Sequence, residues 1–195
     1  LVLAQLARTC HILGDLAPQK YSEAYFRKGK IYAQILIHED PNHVAGHYWL
    51  ALNLCGLADA GGYMLGRRLL PQIVEQLKQA VALNQSYDQA GPHRILGRIY
   101  FQAPGWPMSV GDIRKSLEHL QAAVRLAPNN STNHLFLAQT LARLHFRSLA
   151  EQQLKMVLKS TQHATTPQEL EEDRLEAHRL LVQLRTWDVE SSFLP

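Results

Sequence analysis

Motifs that carry chemistry are scarce in this chain of 195 residues. It has two cysteines, Cys10 and Cys55, which lack the spacing of a metal-ligand pair. It contains no glycine-rich phosphate loop and no nucleophile elbow. Its longest apolar runs, such as 31–37, are far shorter than the roughly 20 residues that a bilayer span requires. We therefore expect no cofactor, no enzyme activity and no membrane span.

The sequence also lacks a cluster of charges of one sign. The chain has 20 lysines and arginines against 17 aspartates and glutamates, for a formal net charge of +3. The basic residues are spread along the sequence, so neither a nucleic-acid-binding arm nor a polybasic membrane segment is visible. This distribution predicts that nucleic acid is not a partner.

Leucine and alanine recur throughout the sequence, whereas runs of valine, isoleucine and threonine are few. With 46% hydrophobic and 19% charged residues, this composition predicts an all-α globular protein. Both cysteines lie in apolar helical patterns and are expected to be buried small side chains. The sequence leaves open whether they pair.

The chain repeats a helix–turn–helix pattern. Pairs of leucine followed by a small residue recur as Leu50-Ala51, Leu96-Gly97 and Leu137-Ala138, each followed by a second apolar helix. A similar pattern opens the chain at Leu6-Ala7. We predict one domain over 1–195, made of four units at about 1–42, 43–87, 88–130 and 131–163, with a capping helix at 167–187.

The spacing inside the units varies. Ala138 and Val157 lie 19 positions apart, but Gly97 and Ala123 lie 26 apart and Ala51 and Ala80 lie 29 apart. We expect the extra residues at the turn between the paired helices, at 61–68 and at "APGWPMSVGD", 103–112. Long connections cost little loop-closure entropy, so the repeat survives them.

Over about residues 1–160 the pattern resembles that of tetratricopeptide-repeat proteins. The segments "HYWLALNLCG", "GPHRILGRIYFQAPGWP" and "LEHLQAAVRLAP" are similar to the helical T component of tripartite ATP-independent periplasmic transporters. The resemblance implies a right-handed α-solenoid. It also implies a protein of the bacterial periplasm, often lipid-anchored, that contacts a substrate-binding partner or a small ligand.

The first residues, "LVLAQLARTC", already read as the middle of a helix. We therefore expect that an N-terminal segment has been removed. The residues themselves leave a cytoplasmic location open.

In stacked helix pairs the first helices line the concave surface, where extended partner segments bind. The repeat register predicts an aromatic and cationic groove lined by Tyr48, Arg94, Arg98, Phe101, Gln139 and Arg143. Arginine binds carboxylates with two parallel hydrogen bonds, so the partner is expected to be a protein or peptide with an acidic segment. The alternative is that these arginines are solvated or paired with nearby acidic residues.

The two insertions contain three large side chains of interest, which we expect near the helix ends. Tyr63, Trp106 and Met108 are expected either to form a lid over a pocket or to cover apolar helix ends by packing. The histidines allow a further hypothesis, because His43 and His47 share a metal-ligand spacing. His47 and His134 also occupy the same repeat position, which explains them without a metal.

The leading hypothesis is a non-enzymatic recognition module that binds a partner segment in its concave groove. The alternative is a periplasmic transporter accessory or a carrier of a small anionic ligand. The apolar side of the last helix, from Leu170 to Leu184, leaves a homodimer open as well.

Overall fold

The computed structural model describes residues 1–105, 108–160 and 167–191. Within these ranges the chain forms eight α-helices and no β-strand, and the all-α fold class predicted from the sequence is confirmed. The helices are α1 (Val2–Leu16), α2 (Gln19–Glu39), α3 (Val44–Leu83), α4 (Tyr87–Gln102), α5 (Ile113–Leu126), α6 (Ser131–Arg143), α7 (Arg147–Lys159) and α8 (Pro167–Ser191). In the described part of the chain, no helix has both the length and the apolar content needed to span a bilayer.

The chain forms two compact units, Leu1–Tyr87 and Asp88–Pro195. The division lies between residues 87 and 88, and the boundaries of the four repeats stay a prediction. The first unit contains α1, α2 and α3. The second unit contains the helices that follow.

In the first unit, α1 packs against α2 and α3, and α2 packs against α3. Helix α3 is broken at Gly62, which has φ 76° and ψ −174°. Only glycine adopts this conformation readily, because a Cβ atom would clash with the backbone. The break separates two arms, 44–61 and 63–83, and a 2.8 Å contact between His47 Nδ1 and Gln76 Oε1 joins them. The second repeat is thus a hairpin inside α3.

The extra residues of the second repeat are helical. The sequence predicts a loop at 61–68, but Gly62 alone is non-helical there, and the inserted residues lengthen the two arms. This corrects the loop expectation for that repeat. In the third repeat the expectation is correct for the described residues 103–105 and 108–112, which lie between α4 and α5. Asp112 is the N-cap of α5, and its side chain accepts hydrogen bonds from the backbone N–H groups of Arg114 and Lys115.

In the second unit, small residues let paired helices approach closely. A Cβ atom on Gly97 of α4 would lie 2.5 Å from Cγ of Leu120 in α5, so any larger residue would collide there. The repeated leucines Leu50, Leu96 and Leu137 are buried in their respective units, as the repeat pattern predicts. The core of the second unit joins α5, α6, α7 and α8 through Leu120, Leu135, Leu137, Ala138, Leu141, Ala150, Leu154, Val157, Ala177 and Leu184.

Helix α8 begins at Pro167 and packs against α6 and α7. Its role as a capping helix stays a prediction. Among its described side chains, the buried apolar ones are Leu170, Ala177 and Leu184, which follow each other at intervals of seven residues. Leu175, which the sequence pattern assigns to the same face, is exposed. Residues seven apart lie almost in line along a helix, because seven residues make about two turns. The buried apolar face of α8 is therefore narrower than the sequence pattern predicts.

Candidate functional site

A cluster of arginine and aromatic side chains joins α4 to α6, the first helices of the third and fourth repeats. Arg98 of α4 donates a hydrogen bond from Nη1 to Oε1 of Gln139 in α6, at 2.6 Å. The repeat register predicts inward positions for both residues. The centre of the Arg98 guanidinium lies 4.6 Å from the ring centroid of Phe136 and 5.5 Å from that of Phe101.

Arg98 is held firmly in this cluster. With the amide of Gln102 turned so that its oxygen faces the guanidinium, the oxygen accepts hydrogen bonds from Nε and Nη2 of Arg98 at 3.1 Å each. Partial burial lowers the pKa of Arg98, and the charge of Glu176 acts in the opposite direction. A guanidinium stays cationic at neutral pH. Among the described residues, Gln139 and Gln102 use three of its five N–H groups.

Arg143 lies at the exposed side of the same cluster. Its Nη1 donates to the backbone carbonyl oxygen of Phe101 at 2.8 Å, and its guanidinium lies 5.1 Å from the Phe101 ring centroid. The Phe101 ring is therefore shared by two cations. We call Arg98, Phe101, Phe136, Gln139 and Arg143 the arginine–aromatic cluster.

The cluster has an excess of positive charge. Among the residues that the structure describes, no carboxylate oxygen lies within 4 Å of either guanidinium. The acidic residues that the sequence offers as partners, Asp88, Asp112 and Glu118, make no ion pair with Arg98 or Arg143. The arrangement is therefore able to bind an anion, with the two rings providing apolar contact beside it.

Arg94, also predicted to line the groove, is 6% exposed. Its Nη2 lies 3.4 Å from Oδ2 of Asp88, and its Nη1 donates to the backbone carbonyl oxygen of Gln89 at 3.2 Å. Arg94 therefore braces the start of α4, and the expectation that it contacts a partner is corrected. A buried arginine of this kind satisfies backbone groups that would otherwise lack hydrogen bonds.

The start of α4 needs this support. Asp88, Gln89 and Ala90 all have positive φ angles between 50° and 61°, although none is glycine. Each such residue costs on the order of 1–3 kcal/mol of strain. Asn133 of α6 is fully buried and donates to the carbonyl oxygen of Gln89 at 3.2 Å, which adds a second brace.

Tyr48, predicted as a groove residue in the second repeat, is 1% exposed. Its ring packs edge-on against Trp49, with centroids 5.0 Å apart, and against Tyr87, at 5.3 Å. Trp49 donates a hydrogen bond from Nε1 to the hydroxyl of Tyr87 at 3.1 Å. Tyr48 is thus part of the core of the first unit, which corrects its assignment to the groove.

The structure describes two of the three side chains predicted to form a lid or to cover helix ends. Tyr63 and Met108 are largely exposed, at 69% and 70%. Trp106 lies outside the described residues. Tyr63 belongs to the first unit and Met108 to the second, so their assignment to a lid stays a prediction.

The histidines of the second and fourth repeats have equivalent surroundings. Nε2 of His47 lies 2.8 Å from the carbonyl oxygen of Pro41, and Nε2 of His134 lies 2.8 Å from that of Pro128. The repeat equivalence of His47 and His134 predicted from the sequence is confirmed. In the described ranges, no group of three or more potential metal ligands comes together.

Some contributors to the site have no clear sequence signal. Phe136 lies seven residues before Arg143 and hence on the same face of α6, and this spacing is the only pattern that points to it. In the sequence, Asn133 is only the third residue after the N-cap Asn130 of α6. Its contact with Gln89 at the start of α4 arises from the packing of α6 against α4, which the sequence pattern does not indicate.

Comparison with known proteins supports a repeat fold. A sequence model of the TRAP transporter T-component matches residues 10–185. The crystal structure of a thermophilic TPR protein from Thermus thermophilus is similar, with a TM-score of 0.58 and 21% sequence identity over 96% of this chain and 100% of that chain. At this identity the likeness shows the fold alone. No curated protein matches the sequence.

Proposed function

Because the chain belongs to the T-component family of TRAP transporters, we propose that it is a non-enzymatic accessory protein of such a transporter. In this proposal it recognises a protein partner through the arginine–aromatic cluster. The helical-repeat fold is typical of protein-interaction scaffolds, which supports the proposal. The bound part of the partner is an acidic segment.

The observation that carries this proposal is the pair of guanidinium groups on neighbouring first helices. Arg98 and Arg143 share the ring of Phe101, and neither has a carboxylate within 4 Å among the described residues. Two neighbouring guanidinium groups repel each other, and Glu176, whose charge acts on Arg98, forms no ion pair with it in the described part of the chain. A carboxylate from a partner relieves this repulsion and gains charge-assisted hydrogen bonds.

The surroundings of the arginines suit recognition. Gln139 and Gln102 hold Arg98 in one orientation, so little side-chain entropy is lost when a partner binds. Phe101 and Phe136 are half-buried and offer apolar surface next to the charges. Arginine and aromatic residues at the centre of an interface commonly carry most of the binding free energy.

The test is titration calorimetry of this chain against the substrate-binding protein of a TRAP transporter from the same cell. We expect Arg143→Ala to weaken binding by at least tenfold and Arg98→Ala to weaken it further, because Arg98 is more buried. Arg114→Ala is the matched control, since Arg114 is an exposed arginine of α5 outside the cluster. Its binding should stay within twofold of the original protein.

Two results would overturn the proposal. One is unchanged binding by the Arg98→Ala and Arg143→Ala variants, with circular dichroism showing that they fold. The other is heat released on titration with a small dicarboxylate but none with the partner protein, which would make the chain a carrier of small anions.

A further inference from the structure

One end of the first unit carries exposed aromatic, apolar and cationic side chains that the proposed partner site does not use. They come from two connections: the turn between α1 and α2, and the break of α3 at Gly62. We call them the tip surface, which consists of Leu16, Lys20, Tyr21, Tyr63, Met64, Arg67 and Arg68.

The two connections lie at the same end of the unit. The ring of Phe26 in α2 sits against both Gly14 and Gly56, so that a Cβ atom on either glycine would collide with the ring. Gly14 is two residues from the end of α1, and Gly56 lies in the last turns of the first arm of α3. The lengthened arms carry Tyr63 and Met64 at the bend that ends this hairpin.

The tip surface contains several large apolar side chains that are exposed. Leu16 is 78% exposed, Tyr63 is 69% exposed and Met64 is 75% exposed. An open cleft between α1 and α2, lined by Leu13, Leu16, Tyr21 and Tyr25 among others, adjoins them. Apolar side chains in such numbers at one end of a unit indicate a surface that is covered by something else.

The same surface is cationic. Lys20 Nζ lies 4.5 Å from the ring centroid of Tyr21, and the Arg67 guanidinium lies 5.8 Å from that of Tyr63. In the described residues, no carboxylate oxygen lies within 4 Å of Lys20, Arg67 or Arg68.

Two carboxylates, Asp15 and Asp59, also lie near this end. Asp15 lies 3.3 Å from Nε2 of His11. Partial burial raises the pKa of Asp59, and the charge of Asp15 raises it further. Lys20, Arg67 and Arg68 outnumber Asp15 and Asp59, so the net charge at this end is positive even when both carboxylates are ionised.

We propose that the tip surface docks onto an anionic lipid bilayer, with Tyr63, Met64 and Leu16 entering the interface and Lys20, Arg67 and Arg68 contacting lipid phosphates. Tyrosine is favoured at the level of the lipid headgroups, where its ring and hydroxyl are both satisfied. Clustered basic residues are attracted to the negative surface potential of anionic lipids. The contact is peripheral and involves no spanning helix.

The shape of the surface favours lipid over an acidic protein. Tyr63 and Met64 stand at a bend where the chain reverses direction, so their side chains project and have few neighbours. A protein partner needs a complementary cavity to bury such projecting groups. A bilayer interface buries them without any matching shape.

The first test is sedimentation of the full chain with lipid vesicles. We expect binding to vesicles of phosphatidylcholine with 30% phosphatidylglycerol and little binding to phosphatidylcholine alone. Each basic residue near an anionic surface changes partitioning roughly fivefold, so Arg67→Ala/Arg68→Ala should weaken binding by about 25-fold. Arg114→Ala/Arg179→Ala removes the same charge from exposed positions of the second unit and should weaken binding much less.

The second test places an environment-sensitive fluorophore on Met64→Cys, with Met156→Cys on α7 as the control site. The native cysteines should not compete for the label, because Cys10 is buried and burial raises the pKa of Cys55 to about 12. With phosphatidylglycerol vesicles, we expect a blue shift of the emission at position 64 and none at position 156.

Three results would overturn the docking proposal. They are equal binding to neutral and anionic vesicles, full binding by the Arg67→Ala/Arg68→Ala variant, and no emission shift at position 64. Binding of a hexaglutamate peptide to the tip surface without vesicle binding would assign it to an acidic protein instead. Arg98→Ala and Arg143→Ala should leave vesicle binding unchanged, so this proposal and the proposed partner site can fail separately.

Discussion

Nδ1 of His134 lies 2.7 Å from Oε1 of Gln153, and Nδ1 of His47 lies 2.8 Å from Oε1 of Gln76. In both repeats a histidine of the first helix thus meets a glutamine of the second. His93 occupies the same position in the third repeat, but there it meets His119, with 2.9 Å between the two Nδ1 atoms. Burial lowers the pKa of His93, and the charge of Arg125 lowers it further.

The histidine–glutamine contacts should matter for stability. His134→Ala removes both contacts of a buried side chain and leaves Gln153 and the carbonyl of Pro128 without their partner. We expect the free energy of unfolding to fall by about 2–4 kcal/mol. Urea unfolding followed by circular dichroism measures this change. His178→Ala, at an exposed position of α8, is the control and should change it by about 0.5 kcal/mol or less.

The close approach of α4 and α5 at Gly97 predicts a penalty for a single added methyl group. In Gly97→Ala the new Cβ meets Leu120 at 2.5 Å, so we expect a loss of about 1–3 kcal/mol in the free energy of unfolding. Gly66→Ala is the comparison, because its Cβ would lie 3.8 Å from Ala58. That helical substitution should stabilise by up to about 1 kcal/mol. Equal effects of the two changes would contradict the close packing.

Asp173 should make stability depend on pH. This carboxylate of α8 accepts hydrogen bonds from the hydroxyls of Ser131 and Thr132, at 2.6 and 2.9 Å. Burial raises the pKa of Asp173, and the charge of Glu169 raises it further. The two hydrogen bonds and the charge of Arg94 lower this pKa, but the net shift is upward. The folded state therefore binds this proton more tightly than the unfolded state does.

The sign of the effect follows from this difference. Between the ordinary carboxyl pKa and the raised pKa of Asp173, the folded state binds more protons than the unfolded state does. In this pH range the free energy of unfolding therefore decreases as the pH rises. We expect urea midpoints to show this fall in the original protein. Asp173→Asn should lack it, while keeping an oxygen that accepts from Ser131. A pH dependence that persists in Asp173→Asn would assign the effect to another group.

The cysteines should be inert in the folded protein. Both thiols are free, Cys10 is buried, and burial raises the pKa of Cys55 to about 12. Since the thiolate is the reactive form, a thiol reagent at pH 8 should label the native chain far more slowly than the urea-unfolded chain. Labelling of the native protein at the same rate as the unfolded chain would contradict this and show that the helices around Cys10 and Cys55 unfold locally with little cost.

The sequence predicted the helical-repeat fold well because its information is local. A leucine followed by a small residue marks each first helix, and the buried Leu50, Leu96 and Leu137 show that the pattern reports packing. The register also placed Arg98 and Gln139 on facing helices, and they form a hydrogen bond. Family membership followed from the same segments.

The sequence was less informative about which inward side chains are exposed. Tyr48 and Arg94 share one repeat position, one turn before that of Arg98 on the first helix, yet both are buried. Their burial depends on neighbours such as Tyr87 and on the left-handed turn at 88–90, which no periodicity indicates.

By itself, then, the sequence determined the helices, their pairing and the family, since these depend on residues a few turns apart. Only the tertiary structure decided that the insertion at 61–68 lengthens a hairpin, and that Lys20, Arg67 and Arg68 share one end of the first unit. The basic residues look dispersed along the chain. They come together because antiparallel helices bring connections that are distant in sequence to the same end, and that arrangement is set by side-chain packing such as Phe26 between Gly14 and Gly56.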